Sequence, residues 1–558
     1  MKPYVVRLQR TLLYLSLTLL WGCGGGGSSS DPDPGLIGVT PTADALLISD
    51  AQPLDNAVAV DPVQQNLFVS HLGFDGLSTS YTGDCTQGVA VRHAVRSLAD
   101  AQFTELVDHK VLCPELQDNR SYALTVVNEA ADGDRFETPL SFSTGVAGSV
   151  GVTVTDSVSS PRSAVQAAFA DYLAGAFLDD LELPASVDTL VTDALLSLAG
   201  GWSNLISPGA IYGVTSEQVR YRSRQPDGNN TTELSGLVVV PDTSGAFTPR
   251  EQIIVLAHAT GSTPGDLEPT NAWFLLANIL ASYGYLVVAP DNWGRGVSSA
   301  SPETYLMANR TAANALDMVR EVIADGRYAA YTASTDRPRL VLIGYSQGGH
   351  TALALWQGVI TQAAEELAID ALYAGGGPYN LYATFEGVLQ HAQDTCADTE
   401  YCRDVNDETT VPFATNRVLP GFITYTDTGL NLADLVNGDT LEQAFVDGFL
   451  ANTAEYDALK AMLFQSSFTN VTNPLEAWGE GRDSQLIFYH SEFDRLVPQA
   501  NANELVALLE TDFNVDYRAD ACSSLGYQTL SGLTPGIVGV VHAVCGLSMI
   551  DEVVAELR

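Results

Sequence analysis

The chain has 558 residues, 46% of them hydrophobic and 17% charged, enough to bury a sizeable core and to fill roughly three or four domain-lengths. Its 48 glycines and 25 prolines follow no collagen-like period and no long charge block occurs, so fibrous and disordered classes are excluded. The 67 Asp and Glu outweigh 26 Lys and Arg for a formal charge of −41, and the only lysines are Lys2, Lys110 and Lys460. That balance excludes a nucleic-acid partner, because no basic surface exists to release counterions from a phosphate backbone, and it suits solubility in salty surroundings.

At the N-terminus, Lys2, Arg7 and Arg10 precede an apolar run from Thr11 to Trp21. About a dozen residues cannot cross some 30 Å of hydrocarbon, so residues 1–22 read as an export signal. Leu20-Trp21-Gly22-Cys23 comes next, and the Gly/Ser tract Gly24 to Ser30 opens a flexible tether over 23–44. This stretch resembles the lipobox of bacterial lipoproteins. The resemblance implies cleavage before Cys23, acylation of its thiol, membrane attachment through that lipid anchor, and a place in the bacterial cell envelope at the outer membrane or cell surface, with plain secretion as the alternative.

With Cys23 lipidated, six cysteines remain, and six in an exported chain point to three disulfides. Sequence alone permits fifteen pairings. Proximity favours Cys85–Cys113, Cys396–Cys402 and Cys522–Cys545, each closing a local loop. No C-x-x-C pair with zinc-ligand spacing occurs, so no metal is implied.

Over 45–146, short runs such as Leu67-Phe68-Val69 and Tyr122 to Val127 alternate with turn-rich Asp, Asn and Gly stretches, which predicts a small all-β sandwich. The segment resembles bacterial Ig-like modules, opening near Pro53 to Ala57 and closing on Phe142-Ser143-Thr144-Gly145. Its expected role is that of a spacer, with carbohydrate or polymer binding as the alternative. Between Pro161 and Leu198 the spacing turns helical: Val165, Ala168, Phe169, Tyr172, Leu173 and Ala176 share one face, and a second such stretch runs 187–198. Both read as packing helices.

From Val219 onward strands and helices alternate, the pattern of a mostly parallel sheet covered on both faces. Strands are expected at 235–240, 253–257, 285–289, 340–344, 371–375 and 485–489, with helices at 273–283, 305–323 and 348–367. The stretch 378–482 breaks the alternation and reads as an inserted cap within a domain spanning 161–558.

The most chemically specific segment is Leu340-Val341-Leu342-Ile343-Gly344-Tyr345-Ser346-Gln347-Gly348-Gly349-His350. An apolar strand running through Gly-x-Ser-x-Gly into a helix is the context of a nucleophile elbow, with Ser346 held out at a helix N-terminus. A serine hydroxyl needs a base, and the base an orienting acid. In the order Ser, acid, His, Asp494 fits the acid, with Glu492 as rival, and His542 fits the base, being the only one of eight histidines after Asp494. His542 is expected just past a last strand near Val540-Val541, pinned by Cys522–Cys545. His350 reads as a packing residue, and His258 ends a strand near the oxyanion loop. The oxyanion donors are expected to be the backbone N–H of Gln347 and one from His258 to Ser262, namely Thr260, or else Ala259.

Tyr221-Arg222-Ser223, Leu237 to Pro241, His258-Ala259-Thr260-Gly261, Gly284 to Asp291 with Gly294 and Gly296, and Gly344 to His350, taken together in this order, resemble the secretory lipase branch of the α/β-hydrolases over Val219 to Arg558. The resemblance implies an α/β-hydrolase fold with an inserted cap, a Ser-Asp-His triad, no cofactor, and activity on carboxylic esters including triacylglycerols. Ala259 stands where that family usually has glycine. The expected function is therefore a serine esterase or lipase acting through an acyl-enzyme. A polyester depolymerase and a serine peptidase share the same chemistry, and a non-enzymatic surface binding lipoprotein is the fourth reading.

Overall fold

The structure, a computed structural model, describes residues 48–558 apart from 53–54, 63–66, 75–76, 102, 115, 131–132, 134, 149–150, 176, 178–193, 195–197, 199–200, 227–230, 244–246, 333–336, 397–399, 404–410 and 534–538. The export signal, the tether and Cys23 lie outside the described residues, as does nearly all of the helix expected at 187–198.

Eight strands make two four-stranded sheets: β1 (Ile48–Gln52), β2 (Ala57–Val60), β3 (Phe68–Gly73), β4 (Ser78–Gly83), β5 (Thr86–Ala94), β6 (Glu105–Leu112), β7 (Ser121–Glu129) and β8 (Arg135–Thr144). One sheet runs β1-β3-β6-β5, all antiparallel. The other runs β2-β8-β7-β4, in which β2 and β8 are parallel. Tyr122, Val126, Phe142, Val69 and Val111 fill the space between them, and Cys85–Cys113 closes one end.

The second region is a nine-stranded sheet: β9 (Thr153–Ser160), β10 (Val214–Arg224), β11 (Thr231–Pro241), β12 (Gln252–Ala257), β13 (Leu286–Pro290), β14 (Arg339–Tyr345), β15 (Ala368–Gly375), a small hairpin β16 (Val436–Asn437) and β17 (Thr440–Leu441) standing apart from the sheet, then β18 (Gln485–Tyr489) and β19 (Asn514–Tyr517). The order is β19-β18-β15-β14-β12-β13-β11-β10-β9, parallel from β19 to β13 and antiparallel from β11 outward. This is the α/β-hydrolase fold. The central strands are apolar throughout because helices cover both faces. All six expected strands form. The edge strands β9 and β19 were not foreseen, since solvent on one side leaves them polar: Thr153–Ser160 reads Thr-Val-Thr-Asp-Ser-Val-Ser-Ser. The expectation of a strand at Val540-Val541 is corrected, because both residues open the helix Gly539–Leu557. β-branched residues there face the core, and burial overrides their weak strand preference.

The sandwich packs against the rest of the chain. The described residues from 48 onward belong to one compact unit, and β3 and β6 are buried on both faces. Outward-pointing Leu72 and Leu106 share a core with Tyr382, Phe385, Phe422 and Leu459 of the insertion. Polar contacts also join the sandwich to the rest of the chain. Lys110 Nζ, bonded within its own strand to Asp108 Oδ2 at 3.0 Å, donates to Asn309 Oδ1 at 2.9 Å, while Gln465 Nε2 of the insertion reaches Ser70 Oγ at 2.6 Å. Lys460 Nζ donates to the Ser97 carbonyl at 2.6 Å. Arg310 grips Asp50 through two bonds of 2.7 and 2.9 Å and donates to the Pro226 and Tyr425 carbonyls.

Asp50→Ala would strand the buried Arg310 guanidinium, so we expect a loss of about 3–5 kcal/mol in denaturant unfolding, against which an unchanged midpoint would count. The inner face of the same sheet carries a second consequence. His71 and His109 stack at 5.2 Å between the sheets, and burial pushes their pKa values down to about 4 and about 3. The folded state refuses protons that the unfolded chain accepts below about 6.5, so these histidines cost stability progressively as pH falls from 6.5 towards 4. Asp317, raised to about 6 by burial, acts with the opposite sign. A comparison isolates the histidines: the melting-temperature deficit of His109→Gln relative to the parent chain should shrink from pH 7 to pH 4.5, and a constant deficit would refute the assignment.

Candidate active site

Strand β14 delivers Ser346 into a turn with φ 60° and ψ −126°, after which the helix Gln347–Gln362 begins. A non-glycine residue in this region is strained by roughly 1–3 kcal/mol, and the surrounding backbone holds it there. The Ser346 N–H donates to the Gly375 carbonyl at 2.8 Å. A Cβ at Gly344 would lie 2.0 Å from the Gly348 carbonyl oxygen, and one at Gly348 would lie 2.0 Å from that of Ala257. Only glycine fits at either place, which is why the turn can be this tight.

Asp494 follows β18 in a loop, buried, with Oδ1 accepting from the N–H groups of Leu496 at 2.9 Å and Val497 at 3.0 Å. Its Oδ2 lies 2.6 Å from His542 Nδ1. Burial alone would raise its pKa, but His542, its hydrogen bond, His490 and the Val497 N–H outweigh that and hold the carboxyl below its usual range. An ionised carboxylate only accepts, so His542 Nδ1 carries a proton, and in the neutral ring Nε2 is the nitrogen with the lone pair. Nε2 has no protein partner. The rival Glu492 is exposed.

His542 sits in the first turn of Gly539–Leu557 rather than in a loop. Three residues on, Cys545 is joined to Cys522, and the Ser491 hydroxyl of the Asp494 loop donates to the Cys522 carbonyl at 2.7 Å. One disulfide thus ties the element bearing His542 to the loop bearing Asp494. Cys396–Cys402 is also formed. His391 lies near it, but two bridged sulfurs offer no thiolate to a metal.

A cavity of about 570 Å³ joins Ser346, Gln347, His542, Ala259 and Thr260. The Gln347 N–H lies in the first helical turn, where no helical acceptor exists. The walls are mostly apolar and come from four directions: Tyr172 and Phe177 from between β9 and β10, Trp273, the insertion's Val388, Pro412 and Phe413, and Leu547 and Ile550 of the last helix. Asn416 and Arg417 supply polarity from a π-helical turn, Ala414–Val418. His350 packs away from the cavity, buried, its Nε2 2.8 Å from the Ser466 carbonyl. His258 also lies buried, bridging the Ala259 and Asp291 carbonyls.

Several residues had no sequence signal. His490, buried beneath Asp494, donates to the Val497 carbonyl at 2.8 Å. Tyr305 meets Thr260 Oγ1 at 2.8 Å, and Glu303 accepts from the Gln347 side-chain amide. None belongs to a motif.

The sequence profile of the alpha/beta hydrolase family matches residues 254–520, from β12 through the Asp494 loop and ending before His542. Among solved structures, a ligand-bound form of the rice cell wall degrading esterase LipA from Xanthomonas oryzae is similar at 18% identity, covering 73% of this chain and 99% of that one with a TM-score of 0.45. Candida antarctica lipase A aligns at 18% identity over 56% of this chain and 72% of its own, with a TM-score of 0.32. Its closed state aligns at 16% identity over 73% and 90%, with a TM-score of 0.34. No curated protein matches the chain.

Replacing Cys522 and Cys545 by alanine should cost about 3 kcal/mol of stability and slow labelling of Ser346 by a fluorophosphonate on the order of tenfold. Labelling at the parent rate would show that the disulfide has no part in placing His542.

Proposed function

We propose that the chain is a serine carboxylic-ester hydrolase, an esterase or lipase with Ser346 as nucleophile, His542 as base and Asp494 as its orienting acid. One arrangement carries this reading: an imidazole whose Nδ1 lies 2.6 Å from an oxygen of a buried carboxylate, whose Nε2 has no protein partner, and which opens on the same cavity as a serine in a strained turn.

In this reaction His542 Nε2 takes the proton as Ser346 Oγ attacks the ester carbonyl, and Asp494 stabilises the imidazolium. The oxyanion is met by the Gln347 N–H and by an N–H of Ala259 or Thr260. His542 then protonates the leaving alcohol, and water releases the acid by the same route reversed. An apolar cavity of this size favours an acyl chain as the buried half of the substrate. No step calls for a cofactor. We further propose that the enzyme works lipid-anchored through Cys23 in a bacterial envelope, on the strength of the lipobox-like segment alone.

The mature chain should hydrolyse p-nitrophenyl esters, and Ser346→Ala should lower kcat by about 10⁴-fold or more with an unchanged melting temperature. Turnover by that variant at the parent rate would remove Ser346 from the mechanism. A series of acyl chains, triolein and a polyester film would then separate esterase, lipase and depolymerase.

A further inference from the structure

Thr260 Oγ1 and Tyr305 Oη lie 2.8 Å apart, and both residues line the cavity that holds Ser346, Gln347 and His542. Each hydroxyl has one proton to give. Among the described residues neither forms another hydrogen bond, so their single shared bond uses one proton of two. The other proton has no protein acceptor: Thr260 is exposed to the cavity, where the negative charge of the proposed reaction would develop on the substrate.

A phenol is the stronger acid of the two and the better donor, and an alcohol oxygen is the better acceptor. The geometry admits either direction; on acidity we assign Tyr305 as the donor to Thr260, which leaves the Thr260 O–H over. Burial raises the Tyr305 pKa, so its hydroxyl keeps its proton throughout the working pH range. The ring is fixed: it is 2% exposed and meets Phe413 edge-on at 5.4 Å. The next residue, Leu306, sits at φ 59°, a conformation that persists only where neighbours dictate it. From the same short segment Glu303 holds the Gln347 side chain, so one stretch of chain braces both residues expected to carry oxyanion donors.

We infer that the Thr260 hydroxyl is a third donor to the oxyanion, and that Tyr305 is the positioning residue that leaves it free to be one. The inference rests on the acyl-transfer reading above. As Ser346 Oγ bonds to the carbonyl carbon, the C=O π pair moves to oxygen and the serine proton passes to His542 Nε2. Thr260 transfers nothing; its O–H only donates a hydrogen bond to the new oxyanion, and does so more strongly than to the uncharged carbonyl.

The test uses the mature chain and p-nitrophenyl butyrate. Thr260→Val, close in shape, should lower kcat on the order of 10²-fold while KM moves by less than about threefold. Thr260→Ser should recover most of the rate. Tyr305→Phe should lose less than Thr260→Val, and the double variant should be no slower than Thr260→Val alone. The inhibition constant of an alkyl trifluoromethyl ketone, whose adduct with Ser346 carries the oxyanion, should rise by the factor by which kcat/KM falls, a correlation that mere loosening of the loop would not produce. A Thr260→Val rate within about twofold of the parent, with the ketone binding unchanged, overturns the inference. So does a larger loss from Tyr305→Phe than from Thr260→Val, which would make the phenol the donor. If Thr260→Val does not fold, Thr260→Ala is read by the same criteria. A parent chain inactive on every ester fails differently, because it removes the acyl-transfer reading itself.

Discussion

An ionised carboxylate kept away from water is expensive unless its charge is answered nearby, and the bond from His542 Nδ1 to Asp494 is the answer on which the rest of the site depends. Two backbone N–H groups on one oxygen and an imidazole on the other leave Asp494 charged although it is buried. The charged carboxylate holds the proton on Nδ1, and in the neutral ring that leaves the lone pair on Nε2. In the proposed reaction the serine turn depends on it. The helix carrying His542, the Cys522–Cys545 bridge and the Ser491 bond act together on one requirement, that two elements separated in the chain meet within hydrogen-bond reach.

The sandwich and the insertion pose a similar problem at a larger scale. Charged side chains lie buried where the sandwich meets the rest of the chain, and each finds a partner across the boundary: Asp108 and its strand neighbour Lys110 with Asn309, Asp50 with Arg310, and Asp457 of a helix in the insertion with the Ala99 N–H. Buried pairs of this kind contribute little net stability against an apolar substitute, yet are costly when half is removed. They favour one docking of the sandwich over others while the apolar residues around Tyr382 and Leu106 supply the affinity. The insertion that walls the cavity is thereby held from behind by the N-terminal strands.

The central strands were readable because burial on both faces writes a continuous apolar run, and the turn at Ser346 because a tight turn demands glycine on either side of it. Chain order and the need for a base with an orienting acid pointed to Asp494 and His542, and the structure brings these two side chains within 2.6 Å. Partnership across space left no such trace. The strand Glu105–Leu112 alternates in a way that suggests one wet face, and only the docked neighbours reveal that Asp108 and Lys110 are buried. Tyr305 and Glu303 belong to no motif, since their importance comes from what stands opposite them. The helix holding His542 was misread because its valines are strand-like in isolation and helical only when packed.

The two lysines among the described residues, Lys110 and Lys460, are both buried, at 2% and 0% exposure, each with its ammonium engaged. Within this region no ε-amine faces the solvent. Reagents that acylate or cross-link amines, and supports that capture proteins through them, find nothing to grip between residues 48 and 558 while the fold is intact. Attachment there has to go through carboxylates, which this acidic surface offers in abundance.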